Sequence, residues 1–123
     1  MLASTGTISA SWVRLGSDMA MTPEGKVKKR VRDILDAFCA AHAGYYFFPP
    51  ANGYGRQGIP DVICCIQGRF VAIECKAGKG MTTELQDREL RLIRDSGGLT
   101  FLINENNVDT LHAYLILIRG NQP

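Results

Sequence analysis

Apolar positions in the middle of the chain form two short runs, residues 61–66 and 69–75, separated by the Gln-Gly pair at residues 67–68. Two runs of this length on either side of a tight turn predict a β-hairpin. Counting outward from the turn, the register places Asp61 directly opposite Glu74. The remaining positions of both strands are almost all apolar, which favours burial on both faces. The sequence therefore predicts a buried hairpin that brings two acids together.

Helical patterns lie on both sides of this hairpin. Residues 22–24, Thr-Pro-Glu, have the features of a helix start, and Gly44 ends the helix. Its apolar positions recur at helical spacing, at Val27, Val31, Leu35 and Phe38. The other predicted elements are an edge strand (45–49), a second helix (82–96), a fourth strand (99–103) and a last helix (108–118). The order α-β-β-β-α-β-α contains too few crossover helices for a doubly wound fold.

Composition narrows the class of protein. The chain has 123 residues, of which 46% are hydrophobic. This is enough for one compact domain, predicted over residues 21–120, after a poorly ordered arm over residues 1–20. A net charge of +2 does not by itself demand a nucleic-acid partner.

Cysteine spacing and hydropathy indicate the cellular compartment of the protein. The four cysteines lack the spacing of zinc ligands, which indicates small core residues in a reducing environment. No apolar run approaches the roughly 20 residues of a membrane span, and the pattern of a signal peptide is absent. A soluble, cytoplasmic protein with no membrane partner is expected.

Asp61, Glu74 and Lys76 are the candidate chemical groups. Directly opposed residues of a hairpin hold their Cβ atoms about 5 Å apart, and like charges there are destabilising. Lys76 lies two residues from Glu74, so both side chains leave the same face of the strand. Two acids and a lysine at the rim of a buried sheet favour a hard cation with oxygen ligands, such as Mg²⁺ or Mn²⁺. The structural alternative is an incidental ion pair between Glu74 and Lys76.

These residues also carry a resemblance to a known family. Pro60-Asp61 followed by Glu74-Cys75-Lys76 resembles the signature of the PD-(D/E)xK nuclease superfamily. The longer pattern is similar to the virus-type replication-repair nuclease (VRR-NUC) domain over roughly residues 22–104, through Glu24, Asn52-Gly53, Gly58-Ile59-Pro60-Asp61, Glu74-x-Lys76 and Gln86. The resemblance implies an α/β, restriction-endonuclease-like core, in which a mixed four-stranded sheet is flanked by helices, with a C-terminal helix added.

The resemblance also implies an activity. Small stand-alone members of this family resemble Holliday junction resolvases, which act as homodimers on four-way DNA junctions. The expected function is therefore metal-dependent hydrolysis of phosphodiester bonds in branched DNA by a homodimer. Two alternatives stay open: an endonuclease that cuts flaps or is less selective, and a nucleic-acid-binding module that keeps the fold without the chemistry.

Roles for individual residues follow from the same resemblance. Asp61, Glu74 and the backbone carbonyl of Cys75 are expected to hold Mg²⁺ or Mn²⁺, and Glu24 to add a ligand directly or through water. Lys76 is expected to orient or deprotonate water, or to stabilise the transition state. Gln86, which matches the glutamine of the family's second helix, is assigned a supporting role in positioning water or substrate.

Contacts to DNA are expected from two segments and from Lys79, which follows the hairpin. Cations of the first helix and the glycine-rich loop before the hairpin flank the predicted site. The candidates are Lys26, Lys29, Asn52, Tyr54, Arg56, Gln57 and Lys79. For the helix cations the alternative is a solvated face, and for the loop an ordinary surface.

Overall fold

The order of elements in the computed structural model, which describes residues 21–50 and 55–120, agrees with the predicted order. The elements are α1 (Pro23–Ala41), β1 (Gly44–Phe47), β2 (Val62–Ile66), β3 (Arg69–Cys75), α2 (Glu84–Asp95), β4 (Leu99–Ile103), a 3₁₀ turn (Val108–Thr110) and α3 (Leu111–Gly120). The arm predicted over residues 1–20 lies outside the described residues. Across the described ranges, no helix has the length and apolar character needed to cross a membrane.

The four strands form one mixed sheet in the order β1-β2-β3-β4. β1 pairs with β2 and β2 with β3 in antiparallel fashion, whereas β3 and β4 are parallel. The mixed sheet flanked by helices confirms the predicted architecture, and the hairpin that carries the candidate acids occupies its centre.

The hairpin register is also the predicted one. Val62 pairs with Ile73, and the pairing continues to the turn. Gln67 and Gly68 both have positive φ angles, 47° and 89°, as a two-residue turn that matches the twist of the strands requires. Asp61 lies in a bend one residue before β2, so the ladder of paired residues ends just short of it.

The hydrophobic core lies between one sheet face and the helices α1 and α3. The Thr22 hydroxyl accepts a 3.0 Å hydrogen bond from the Gly25 N–H and so caps α1, and Pro23 occupies its first turn. The predicted apolar positions of this helix are all buried, and they pack against alternate residues of β2 and β3. Burial of each such side chain contributes about 1.5–3 kcal/mol. This packing holds the N-terminal half of α1 beside the hairpin.

The opposite sheet face is only partly covered, so the prediction that the hairpin is buried on both faces was wrong. Cys65 and Phe70 are exposed on it, as is Phe47 of the neighbouring strand. The physical reason is that α2 packs against β4, at the far side of the sheet, and leaves the outer face of β1 and β2 without a helix. Within the described strands, the buried residues of this face are Ala72 and Glu74 of β3.

Candidate active site

Glu74, near the end of β3, is the most deeply buried charged residue of the site, with a side chain 2% exposed. Its Oε2 atom accepts a 3.0 Å hydrogen bond from Gln86 Nε2 and lies 3.5 Å from Lys76 Nζ. Its Oε1 atom is buried and has no hydrogen-bond partner. A buried carboxylate oxygen without a partner is costly, so this atom needs a proton or a cation.

Asp61 connects the hairpin to α1. Its Oδ2 atom accepts a 2.8 Å hydrogen bond from the Cys75 N–H. Its Oδ1 atom lies 3.4 Å from Lys28 Nζ, and the same ammonium lies 3.5 Å from Glu24 Oε2. The structure thus aligns Glu24, Lys28 and Asp61, and the bond to the Cys75 amide holds Asp61 at the end of β3 beside Glu74.

The electrostatics of the site reflect burial and the proximity of the two hairpin acids. Burial, and after it the negative charge of Asp61, raise the pKa of Glu74 to about 7, although Lys76 opposes the shift. Burial works to lower the pKa of Lys28, but the charges of Asp61 and Glu24 outweigh it and leave that pKa raised. Lys28 is therefore charged at neutral pH, and Glu74 is poised between its two protonation states.

Cys75 contributes its backbone to the site, because its side chain lies in the core. Burial, followed by the charge of Asp61, raises the pKa of its thiol to about 12, so the thiol stays protonated at neutral pH. The Lys76 N–H donates to Ile103 of β4. Since the polar backbone groups of successive strand residues point to opposite neighbours, the N–H and C=O of Cys75 both point toward the Asp61 side.

Gln86 is held in place from both ends of its side-chain amide. Its Oε1 atom accepts a 2.9 Å hydrogen bond from the Thr83 N–H, its own N–H donates to Thr83 Oγ1, and its Nε2 atom donates to Glu74. This arrangement is a capping box in which the capping side chain also contacts the buried acid. The predicted supporting glutamine therefore lies in direct contact with the site.

Gly58 explains how closely the loop before the hairpin approaches α2. Its φ is +84°, and a Cβ atom at this position would lie 2.5 Å from the backbone carbon and oxygen of Leu85. Only glycine fits such an approach in this backbone conformation. The contact fixes the first turn of α2, and with it Gln86, against the segment that leads to Asp61.

The donor atoms fit a small site for a hard cation. Among residues 21–50 and 55–120, no three acid, histidine or cysteine side chains lie close enough together to hold a metal ion. The set that fits is two carboxylates, Asp61 and Glu74, and the carbonyl of Cys75, which are all oxygen donors of the kind that Mg²⁺ and Mn²⁺ prefer. The partnerless Glu74 Oε1 atom is the observation that supports this fit. Glu24 is separated from the pair by Lys28.

The residues predicted to contact DNA have different surroundings. Arg56 forms a 2.6 Å ion pair with the buried Glu89, and with Gln57 it lines a groove of about 740 Å³ that reaches Asp61. Lys29 pairs with Asp33 on its own helix. Lys26 lines a hollow with Gly78, next to the exposed Lys79. Asn52 and Tyr54 lie outside the described residues.

Two charged residues of this region, Lys28 and Glu89, were not expected there from the sequence. The signal for Lys28 was present, because it lies four residues after Glu24 and such pairs meet on a helix surface. Nothing in the local pattern marked Glu89, whose burial depends on Arg56 from a distant loop.

The comparison with solved structures agrees with the fold. No family model matches the sequence, and no curated protein matches it. A solved structure named "VRR_NUC domain protein" is similar, with a TM-score of 0.57 and 18% sequence identity over 77% of this chain and 86% of that chain. At this identity the likeness shows the fold, and it confirms the restriction-endonuclease-like core expected from the sequence.

Proposed function

We propose that this protein is a nuclease that uses Mg²⁺ or Mn²⁺ to hydrolyse phosphodiester bonds in branched DNA, and that it resolves four-way junctions as a homodimer. The observation that carries the proposal is the buried Glu74, whose Oε1 atom has no partner, at a site shared with Asp61, Lys76 and Gln86. An acid with a pKa near 7 beside a second acid is a costly arrangement that a divalent cation relieves.

The residues of the site have distinct roles in this proposal. Asp61, Glu74 and the Cys75 carbonyl would hold the ion. A bound divalent ion supplies activated water and neutralises charge on the scissile phosphate. Gln86 fixes the orientation of Glu74 through its hydrogen bond to Oε2. Lys76, 3.5 Å from that same atom, is placed to orient or deprotonate the attacking water or to stabilise charge that develops on the phosphate.

The substrate class and the homodimer rest on the sequence resemblance and on size. A chain of 123 residues offers little surface with which to grasp a four-way junction alone, and two copies would present two active sites. Exposed apolar side chains are available for a contact between copies, among them Tyr114 and Leu117 on α3. The groove that runs from Arg56 to Asp61 offers a path for a DNA strand toward the site.

End-labelled DNA substrates test the proposal directly. Purified protein is incubated with four-way junction, flap and linear duplex DNA in the presence of Mg²⁺, Mn²⁺ or EDTA. We expect cleavage of the junction with either metal and none in EDTA. Asp61→Asn and Glu74→Gln should abolish cleavage and leave junction binding within about threefold of wild type, because neither residue is asked to bind the DNA itself.

Each alternative outcome has a definite meaning. Cleavage in EDTA would contradict metal dependence, and equal rates on linear duplex would reject the junction assignment in favour of a less selective nuclease. Faster cleavage of flaps would assign the protein to flap processing. DNA binding without cleavage under any of these conditions would identify a binding module, and a monomer at working concentration in sedimentation would reject the homodimer.

A further inference from the structure

Lys28 lies within the site, but the proposed reaction gives it no role. Its Nζ atom lies 3.5 Å from Glu24 Oε2 and 3.4 Å from Asp61 Oδ1. The first contact is a local pair on one helix turn, of the kind that contributes little to stability. The second contact joins α1 to the hairpin, and it places a positive charge between two acids that both belong to the candidate site.

Each carboxylate oxygen of Asp61 already has a polar partner. Oδ2 accepts the hydrogen bond from the Cys75 N–H, and Oδ1 faces the Lys28 ammonium. A carboxylate has about four lone-pair positions, so Asp61 can still bind one ion on the side of Glu74. An ion that bridged Glu24 and Asp61 would have to lie about 2.1 Å from an oxygen of each acid, in the space that the ammonium now fills.

The charges of the site are consistent with a single divalent ion. Glu24, Asp61 and Glu74 are balanced in part by Lys28 and Lys76, which leaves one negative charge when all three acids are ionised. One divalent ion changes this to one positive charge, which matches the single negative charge of a phosphodiester. A second divalent ion would leave a large positive excess beside two lysines, and repulsion between close cations opposes its binding.

We propose that Lys28 is the second cation of this site, so that the protein binds one divalent ion through Asp61, Glu74 and the Cys75 carbonyl, while Glu24 holds Lys28 in place. This inference rests on the proposed nuclease function and makes it a one-metal reaction. The ammonium stabilises negative charge on the phosphate from the α1 side, where a two-metal site would use its second ion. It also gives Glu24 a positioning role instead of the ligand role expected from the sequence.

Titration with Mn²⁺, followed by electron paramagnetic resonance of the free ion, measures both the number of ions and their affinity. The wild-type chain should bind one Mn²⁺. Glu24→Gln should also bind one, with an affinity within about threefold of wild type, because the residue is not a ligand. Lys28→Gln should bind a second Mn²⁺, since the variant frees Glu24 and the outer side of Asp61. Asp61→Asn should weaken the first ion by about tenfold or more.

A matched control removes a different charge from the same helix. Arg30 forms an ion pair with Asp109, away from the candidate ligands, so Arg30→Gln should keep one Mn²⁺ with wild-type affinity. Circular dichroism of every variant reports whether the fold is intact. Lys28→Arg, which keeps the charge, should not gain the second ion, and this result separates the charge of the side chain from its packing.

Cleavage kinetics supply a second, independent measurement. At an Mn²⁺ concentration that fills the first site but not the second, Lys28→Gln should lower kcat by about 30-fold or more and leave the KM for DNA within about threefold, because the ammonium acts on charge that develops during the reaction. Lys28→Arg should recover at least part of this loss. If Lys28 only supported folding, its replacement would not lower kcat while leaving KM unchanged.

The outcomes separate this inference from the proposed function. Two Mn²⁺ ions on an active wild-type chain, a loss of about tenfold or more in affinity in Glu24→Gln, or a Lys28→Gln variant that still binds one ion would each overturn the inference. Each of these three results would still be compatible with the proposed metal-dependent nuclease function. A wild-type chain that binds no Mn²⁺ and cuts no DNA would reject the proposed function itself.

Discussion

Replacing Glu74 with glutamine should stabilise the metal-free protein at neutral and alkaline pH. The Glu74 side chain is 2% exposed, and burial, together with the charge of Asp61, raises its pKa from 4.5 to about 7. A carboxyl with a raised pKa binds its proton more tightly in the folded chain than in the unfolded chain. Its contribution to stability is therefore complete below pH 4.5 and is lost as the pH rises through about 7.

The size of the effect follows from the shift. At about 1.4 kcal/mol for each pKa unit, ionisation of Glu74 in the folded chain costs roughly 3 kcal/mol in the absence of metal. Glutamine carries no charge and avoids this cost, although Lys76 loses its ionic partner. We expect the free energy of unfolding at about pH 8 to rise by about 2 kcal/mol, or Tm by on the order of 10 °C. At about pH 5 the difference should nearly vanish.

Urea denaturation in EDTA, over a range of about pH 5 to pH 8, measures the difference. Glu89→Gln is the matched control, because Glu89 is the other buried glutamate but its carboxylate is paired with Arg56 and Arg88. This control should lose stability at about pH 8, since removal of the charge leaves arginine partners behind. The claim that ionised Glu74 destabilises the folded protein would be refuted if Glu74→Gln were no more stable than wild type at about pH 8. It would also be refuted if the difference in free energy of unfolding did not depend on pH.

Two further substitutions test how the site is positioned. Gly58→Ala should lower the free energy of unfolding by roughly 2–4 kcal/mol, because it combines a positive φ with contact against the backbone of α2. Gly55→Ala, where an added Cβ meets nothing within 4 Å, should change it by less than about 0.5 kcal/mol in the same denaturation assay; equal losses would contradict the close approach. Gln86→Met keeps the side-chain length but removes the bond to Glu74, so kcat for cleavage should fall by about tenfold or more with KM nearly unchanged. A variant with wild-type kcat would show that the amide is dispensable.

Much of the fold could be predicted because its signals are local. The register of the hairpin depends only on alternation and on the two-residue turn, and the pairing of Val62 with Ile73 follows from them. The start of α1 at Pro23 was equally clear from its cap. The exposed Cys65 could not be anticipated, since whether an outer sheet face is covered depends on where a distant helix packs.

The candidate site, too, could be predicted only in part. Asp61, Glu74 and Lys76 were placed together by counting along two strands, whereas Gln86 was assigned to the site by the sequence resemblance. The contact of Lys28 with Asp61 depends on how α1 packs across the sheet, which the spacing of residues along the chain does not specify. Lys29, by contrast, pairs with Asp33 four residues later on its own helix, a contact that the spacing along the chain does specify.

The antiparallel pairing of β2 and β3 limits which changes in chain length the protein can accept. An insertion within the turn at Gln67 lengthens a surface loop and leaves the facing pairs as they are. A single residue inserted in β3 between Phe70 and Glu74 reverses the direction of every side chain that follows, so Glu74 would point toward α1 and Cys75 toward α2. Natural relatives should accordingly vary in length at the turn while the spacing from Arg69 to Lys76 stays constant.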